Sequence, residues 1–167
     1  MILTTHAIVG AAAGRVFSNP YVAFAAGFAS HFIIDAIPHW EYDLKSRVEN
    51  KENPLKEDIT LNKKFIGDLA RIGLDFAFGV FASIFIFRNG SGFIGAPASL
   101  LAGVAGGVFP DFLQFLYFKI RREPFILAQK LHIYVHKGGK KIPALPYGVV
   151  SQIILIIAAV IISKAVY

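Results

Sequence analysis

The sequence predicts an all-α polytopic membrane protein: a helical hairpin, about three transmembrane helices and a short interfacial helix, in one integral membrane domain over residues 1–167. Three observations carry this reading. Hydrophobic residues make up 55% of the chain and the mean hydropathy is +0.56. Charged residues are only 17%, against roughly 25% in soluble domains. The apolar surplus is divided among several long segments instead of lying in one signal-like stretch.

Five apolar segments follow one another: Met1 to Ser18, Pro20 to Pro38, Phe65 to Phe87, Phe93 to Phe118 and Tyr147 to Val166. A span needs about 20 residues at a 1.5 Å rise, so the last three are long enough to cross and the first two fall slightly short. Asn19 suits a helix cap and Pro20 a first helical turn, so the first two segments form a tight hairpin, either spanning or re-entrant. Small residues crowd both arms, among them Gly10, Gly14, Ala23 and Gly27, and let the two backbones approach closely. The opening residues lack a positively charged signal region and Arg15 interrupts their apolar run, which reads as mature protein.

Asn89-Gly90-Ser91-Gly92 is a turn sequence, which makes the third and fourth segments antiparallel neighbours. The two long polar stretches, about residues 40–64 and 119–146, then share one side of the membrane. Together they hold thirteen of the seventeen Lys and Arg residues. The positive-inside rule places them in the cytoplasm together with the N-terminus, in the cytoplasmic (inner) membrane. The stretch from Lys45 to Lys64 is mixed in charge and reads as a solvated loop. The net charge of +6 points to the lipid bilayer and its anionic phospholipid head groups as partners, not to nucleic acid.

Ionisable side chains inside apolar spans cost roughly 2.5–3.5 kcal/mol each at mid-helix, so each calls for a partner. Five stand out: His6, His31, Asp35, Asp75 and Asp111. Folding the hairpin about Asn19 brings His6 level with His31 and Asp35. Asp75 and Asp111 lie about 10–15 Å in from the cytoplasmic ends of their own spans at 1.5 Å per residue. All five share one shallow layer. His31, Asp35 and His39 are spaced i, i+4, i+8 and share a face while the helix persists before Pro38.

With no cysteine in the chain, a metal must be held by imidazole nitrogen and carboxylate oxygen, which suits zinc, with manganese and iron as alternatives. Glu41 and Asp43 follow closely as further ligands, supporting groups or a general base. Plainer roles exist for several of these residues. His6 and Asp111 can cap helices, Asp75 can pair with Arg71, and Asp68 with Lys64. After Pro124, a short amphipathic helix places Gln129, His132 and His136 on one face, either as a further pair of ligands or as an exposed pair in the interface. Lys137 to Lys141 beyond it would meet lipid phosphates.

The stretches "THAIVGAAAG", "HFIIDAIPHW" and "GGVFPDF" together resemble a family of small bacterial inner-membrane metal-dependent hydrolases. The middle stretch is also similar to the His-x-x-x-Asp and His pattern of the zinc-dependent phospholipase C and single-strand nuclease superfamily, helical enzymes with a trinuclear zinc site. The resemblance implies that His6, His31, Asp35 and His39 are metal ligands, and that Asp111 of the Pro110-Asp111 pair binds metal. Phe112, Leu113 and Gln114 stand where the membrane family usually has a second acidic and histidine pair.

The expected function is a membrane-embedded, metal-dependent hydrolase acting on phosphoester bonds of a lipid or other amphiphile. His6, His31, Asp35, His39, Asp75, Asp111, His132 and His136 are the candidate ligands, and Glu41 or Asp43 the candidate base. The alternatives are an ion or proton-coupled transporter using the same groups as a pathway, and a non-catalytic metal-binding membrane scaffold.

Overall fold

The computed structural model describes residues 1–50, 52–87, 97–138 and 143–166. Six helices account for most of it: α1 (Leu3–Gly14), α2 (Pro20–Asp35), α3 (Lys63–Phe87), α4 (Ala98–Ile120), α5 (Phe125–Gly138) and α6 (Val149–Val166). The all-α expectation holds, apart from a two-residue-strand hairpin described below. Three helices are long and apolar enough to cross a membrane: Lys63–Phe87, Ala98–Ile120 and Pro146–Val166. The expected turn at Asn89 to Gly92 lies outside the described residues, as do Lys140 and Lys141.

The hairpin forms where the sequence places it. The Asn19 side chain accepts hydrogen bonds from the amides of Tyr21 and Val22, at 2.8 and 3.4 Å, and Pro20 opens α2. α2 ends at Asp35 because Pro38 disfavours helical conformation in the residue before it. α1 is the axis of the molecule, with ten of its twelve residues buried and α2, α3, α4 and α6 packed around it.

The small residues of the hairpin serve a different neighbour from the one the sequence suggests. A Cβ placed on Gly10 would come within 2.5 Å of the Gly103 carbonyl, and one on Gly27 would strike the same oxygen. A Cβ on Gly107 would strike the His6 carbonyl, and one on Gly106 that of Phe24. The glycines therefore admit the backbone of α4 against both arms at once. α3 packs chiefly on α1 and only lightly on α4.

The outer surface is apolar. Ile66, Leu69, Leu74 and Phe78 on α3, and Ile153, Ile154, Ile157, Ile161 and Ile162 on α6, each leave half or more of the side chain exposed. A continuous apolar surface of this size is what hydrocarbon requires and water penalises.

The polar stretch after α2 is more ordered than its composition suggests. Arg47–Val48 pairs antiparallel with Asp58–Ile59, as β1 and β2. Arg47 and Glu57 form an ion pair at 2.6 Å. The end of α4 and the start of the second polar stretch hold the first: Tyr117 donates to the Leu55 carbonyl at 2.6 Å, Arg121 to the carbonyls of Leu55 and Glu57, and Lys119 to Asp58 and the Ile59 carbonyl. At the other edge, both the amide and hydroxyl of Ser46 donate to Asp68 at 2.7 Å. Asp68 is thus an anchor for this cap rather than a partner of Lys64. The loop order arises from contacts between segments about sixty residues apart, which local composition does not encode.

Candidate metal centre

All five histidines of the chain converge on Asp35. The Nε2 atoms of His31 and His136 lie 3.0 Å from its carboxylate, that of His6 at 3.2 Å, and those of His39 and His132 at 3.8 Å. Four separate pieces of the fold supply them: the start of α1, the C-terminal end of α2, the segment just after α2, and α5, which contributes two residues one turn apart. Asp111, from the middle of α4, places Oδ1 3.9 Å from Nε2 of both His31 and His132. The α-amino group of Met1 also lies 3.0 Å from Asp35 Oδ1.

Backbone carbonyls fix the direction of two of these rings. His31 Nδ1 lies 2.8 Å from the Gly107 oxygen and His39 Nδ1 2.7 Å from that of Ile37. A carbonyl can only accept, so Nδ1 carries the proton and a neutral ring turns a lone pair on Nε2 toward Asp35. This matches the outer hydrogen bond typical of metal-ligating histidine. Burial keeps His39 neutral by lowering its pKa, and pushes that of His132 down to about 3.

The Met1 ammonium donates to Asp35 Oδ1, but with neutral rings the other atoms gathered here are acceptors aimed at acceptors. Among the described residues, His6 Nε2, His31 Nε2 and Asp35 Oδ2 are buried without a hydrogen bond. The His6 and His31 side chains are 0% exposed and that of Asp35 is 1%. Lone pairs gathered at such distances repel unless a cation lies between them, and leaving them unsatisfied costs about 1–3 kcal/mol each. Protonating several rings would not resolve this, because one buried carboxylate cannot neutralise several imidazolium charges. The donor set of neutral imidazole and carboxylate therefore fits a divalent metal ion.

Three groups of ligand atoms lie close enough to hold an ion: His6, His31 and Asp111; His31, Asp35 and His132; and Asp35, His39 and His136. The first and second compete for the one free nitrogen of His31. The first and third share no residue, and each offers three ligands. Open coordination positions are the mark of catalytic sites as opposed to closed structural ones. The accessible side of the cluster is at Asp111 and His136, whose side chains are 30% and 25% exposed.

Seven of the eight expected ligands thus meet. Asp75 does not join them. It accepts hydrogen bonds from the amides of Leu3 and Thr4, at 2.6 and 3.3 Å, from the Thr4 hydroxyl at 2.6 Å, and from Tyr42 at 3.4 Å. Its carboxylate completes the exposed amides at the start of α1, where the helix dipole also favours a negative charge. The Tyr42 hydroxyl is driven above its ordinary pKa by burial, with the carboxylates of Asp75 and Asp111 adding to the effect.

Glu41 and Asp43 follow the central motif but belong to none of the three ligand groups. Asp43 is exposed, and its carbonyl accepts from Arg71 at 3.3 Å. Gln152 is a supporting residue that the sequence reading did not single out. Its oxygen accepts from the Ile2 amide and the Thr5 hydroxyl, at 3.3 and 2.8 Å, while its nitrogen donates to the Trp40 carbonyl at 2.9 Å. It pins both chain segments that flank the cluster. Its signal was an amide amid the isoleucines of the last span.

α5 covers the cluster with its polar face inward. Gln129 and His132 are buried, while Leu127, Leu131 and Tyr134 point out. This reverses the arrangement of a helix on a water-soluble protein and fits an interfacial helix with lipid on its outer side. A scan against protein-family models and searches of curated proteins and of solved structures find no match to this chain.

Proposed function

We propose that the protein is a membrane-embedded, metal-dependent hydrolase that cleaves phosphoester bonds of a lipid or another amphiphile. The observation that carries the proposal is the meeting of five imidazole nitrogens and Asp111 around one buried carboxylate, with His6 Nε2, His31 Nε2 and Asp35 Oδ2 buried and without a hydrogen-bond partner. The motifs that resemble membrane metal-dependent hydrolases contribute residues to this cluster. A divalent ion, zinc by donor preference, supplies Lewis acidity that lowers the pKa of water and draws charge from a phosphoryl oxygen.

The residues divide the remaining work. Asp35, His39 and His136 form one three-ligand set, and His6, His31 and Asp111 the other. Gly107 and Ile37 fix the tautomers of two ligands through their carbonyls. Burial under α5 excludes bulk water from His6, His31 and Asp35. Asp111, partly exposed at the open side, is the carboxylate placed to receive a proton from an entering group.

The apolar outer surface brings a lipid substrate to the site by lateral diffusion. In this reading the protein resides in the inner membrane, with its basic loops on the cytoplasmic face against anionic head groups. The test is elemental analysis of protein purified without chelator, beside the His31→Ala/Asp35→Ala double variant, followed by a screen of phosphodiester and phosphomonoester lipids. The expected result is metal bound to the parent and lost in the variant, with hydrolysis abolished in Asp35→Asn. Parental protein that takes up no divalent metal would overturn the proposal.

A further inference from the structure

Gln129 is a buried polar residue that stands outside the ligand groups of the metal centre. Its side chain is 2% exposed, and among the described residues its Oε1 is buried without a hydrogen bond. Glutamine is mostly an exposed residue, and an amide oxygen taken out of water keeps two lone pairs that call for a donor. No described residue supplies one. The donor that suits this oxygen comes with a molecule that enters.

The helix places the oxygen beside the cluster. Gln129, His132 and His136 follow one another at i, i+3 and i+7 and share the inward face of α5. His132 Nε2 lies 3.9 Å from Asp111 and 3.8 Å from Asp35. Gln129 therefore stands one turn, about 4.5 Å at 1.5 Å per residue, beyond these ligands. Because α5 folds back on α4 through residues 121–124 and packs against it, that turn leads toward the C-terminal end of α4 and the β1–β2 cap.

The opposite flank of His132 is aromatic. The Phe32 ring lies 6.3 Å from that of His132, Phe28 lies 5.3 Å from Phe32, and Phe24 lies 6.4 Å from Phe28, each step leading back along α2. α2 runs beside α4 in the same direction, with Gly27 at Gly103 and His31 at Gly107. The rings thus lead away from the side on which Gln129 lies. An amphiphile whose phosphoester rests at His132 and Asp111 would turn its carbon chain to the rings and its polar head to Gln129.

We propose that the head group of the substrate carries a hydroxyl and that Gln129 Oε1 accepts a hydrogen bond from it. Gln129 is then a specificity-determining residue, since a buried acceptor left unfilled by an aliphatic group penalises that group. The inference rests on the metal-dependent reading of the same centre.

Full-length protein in a neutral detergent is loaded with cobalt(II), whose visible absorption reports ligands entering the centre without any turnover. It is titrated with α-glycerol phosphate and with propyl phosphate, which match in charge and carbon skeleton and differ in the hydroxyls. The expected result is a Kd about tenfold lower for glycerol phosphate. Gln129→Leu should weaken glycerol phosphate until the two Kd values agree within about twofold, and should leave propyl phosphate binding as in the parent. A general loss of packing would not produce that selective change.

Gln129→Met, closer to glutamine in shape, provides the same comparison if Gln129→Leu folds poorly. Equal binding of the two phosphates by the parent, or a preference kept in a folded variant, would overturn the inference while leaving the metal-dependent reading in place. A parent that takes up no cobalt would overturn both.

Discussion

The ring of His31 donates from Nδ1 to the carbonyl of Gly107 at 2.8 Å, so the backbone of α4 sets the tautomer of a ligand on α2. The same glycine lies so close to α1 that a Cβ there would strike the His6 carbonyl. Helix packing and ligand chemistry therefore meet in one residue.

Gly107→Ala should force α4 outward and carry its carbonyl away from His31. Overpacking of this kind costs about 1–3 kcal/mol, and loss of the outer hydrogen bond typically weakens metal binding about 10–100-fold. Competition with a chelating dye and thermal melting measure the two effects. Undiminished metal affinity in a destabilised variant would show that the carbonyl does not orient the ring.

Asp35→Asn and Asp75→Asn should separate ligation from capping. The first removes the carboxylate that five imidazoles face and should abolish stoichiometric metal. The second weakens the N-terminus of α1 by about 0.5–2 kcal/mol and should leave metal content near that of the parent. Elemental analysis with a melting curve on each variant checks both, and loss of metal from Asp75→Asn at native-like stability would place that residue in the centre.

Chelator-treated protein should lose stability as the pH falls below neutrality. Burial lowers the pKa of His132 to about 3, while an unfolded histidine titrates near 6.5. Between those values the unfolded chain binds a proton that the folded ring refuses. Stability is therefore full above about pH 6.5, falls as the pH drops through this window, and stops falling on this account below about pH 3. His132→Phe should flatten the slope in denaturation midpoints measured at successive pH values. An unchanged slope would mean that this ring takes up its proton in the folded state.

Gln152→Leu should destabilise the protein even though it makes the last span more apolar. It leaves the Ile2 amide, the Thr5 hydroxyl and the Trp40 carbonyl without their partner, at about 1–3 kcal/mol for a buried unsatisfied group. A melting temperature equal to or above that of the parent would show that these groups find other partners.

Much of the fold is legible in the chain because lipid imposes long apolar runs and turn chemistry punctuates them. Asn19-Pro20 marks the hairpin, and the i, i+4 spacing of His31 and Asp35 marks a shared face. Depth counting at one rise per residue brought His6, Asp35 and Asp111 to one level. It could not separate Asp75 from them, because depth leaves azimuth open and Asp75 faces the end of α1 from another side. The order of the 45–64 cap was hidden for a related reason. Its mixed charge reads as solvated until Tyr117, Lys119 and Arg121 arrive from α4. The pairing of hairpin glycines with α4, not with each other, likewise depends on a third helix.

The reversed polarity of α5 would give a bilayer a mechanical role. Its outer residues, Leu127, Leu131 and Tyr134, are exposed, so in a membrane the roof over the histidines would be held shut partly by acyl chains and their lateral pressure. Thinning the membrane, loosening its lipids or stripping them with harsh detergent would slacken that roof. The speed with which a chelator empties a loaded centre would then be a property of the solvent around the protein as much as of the ligands within it.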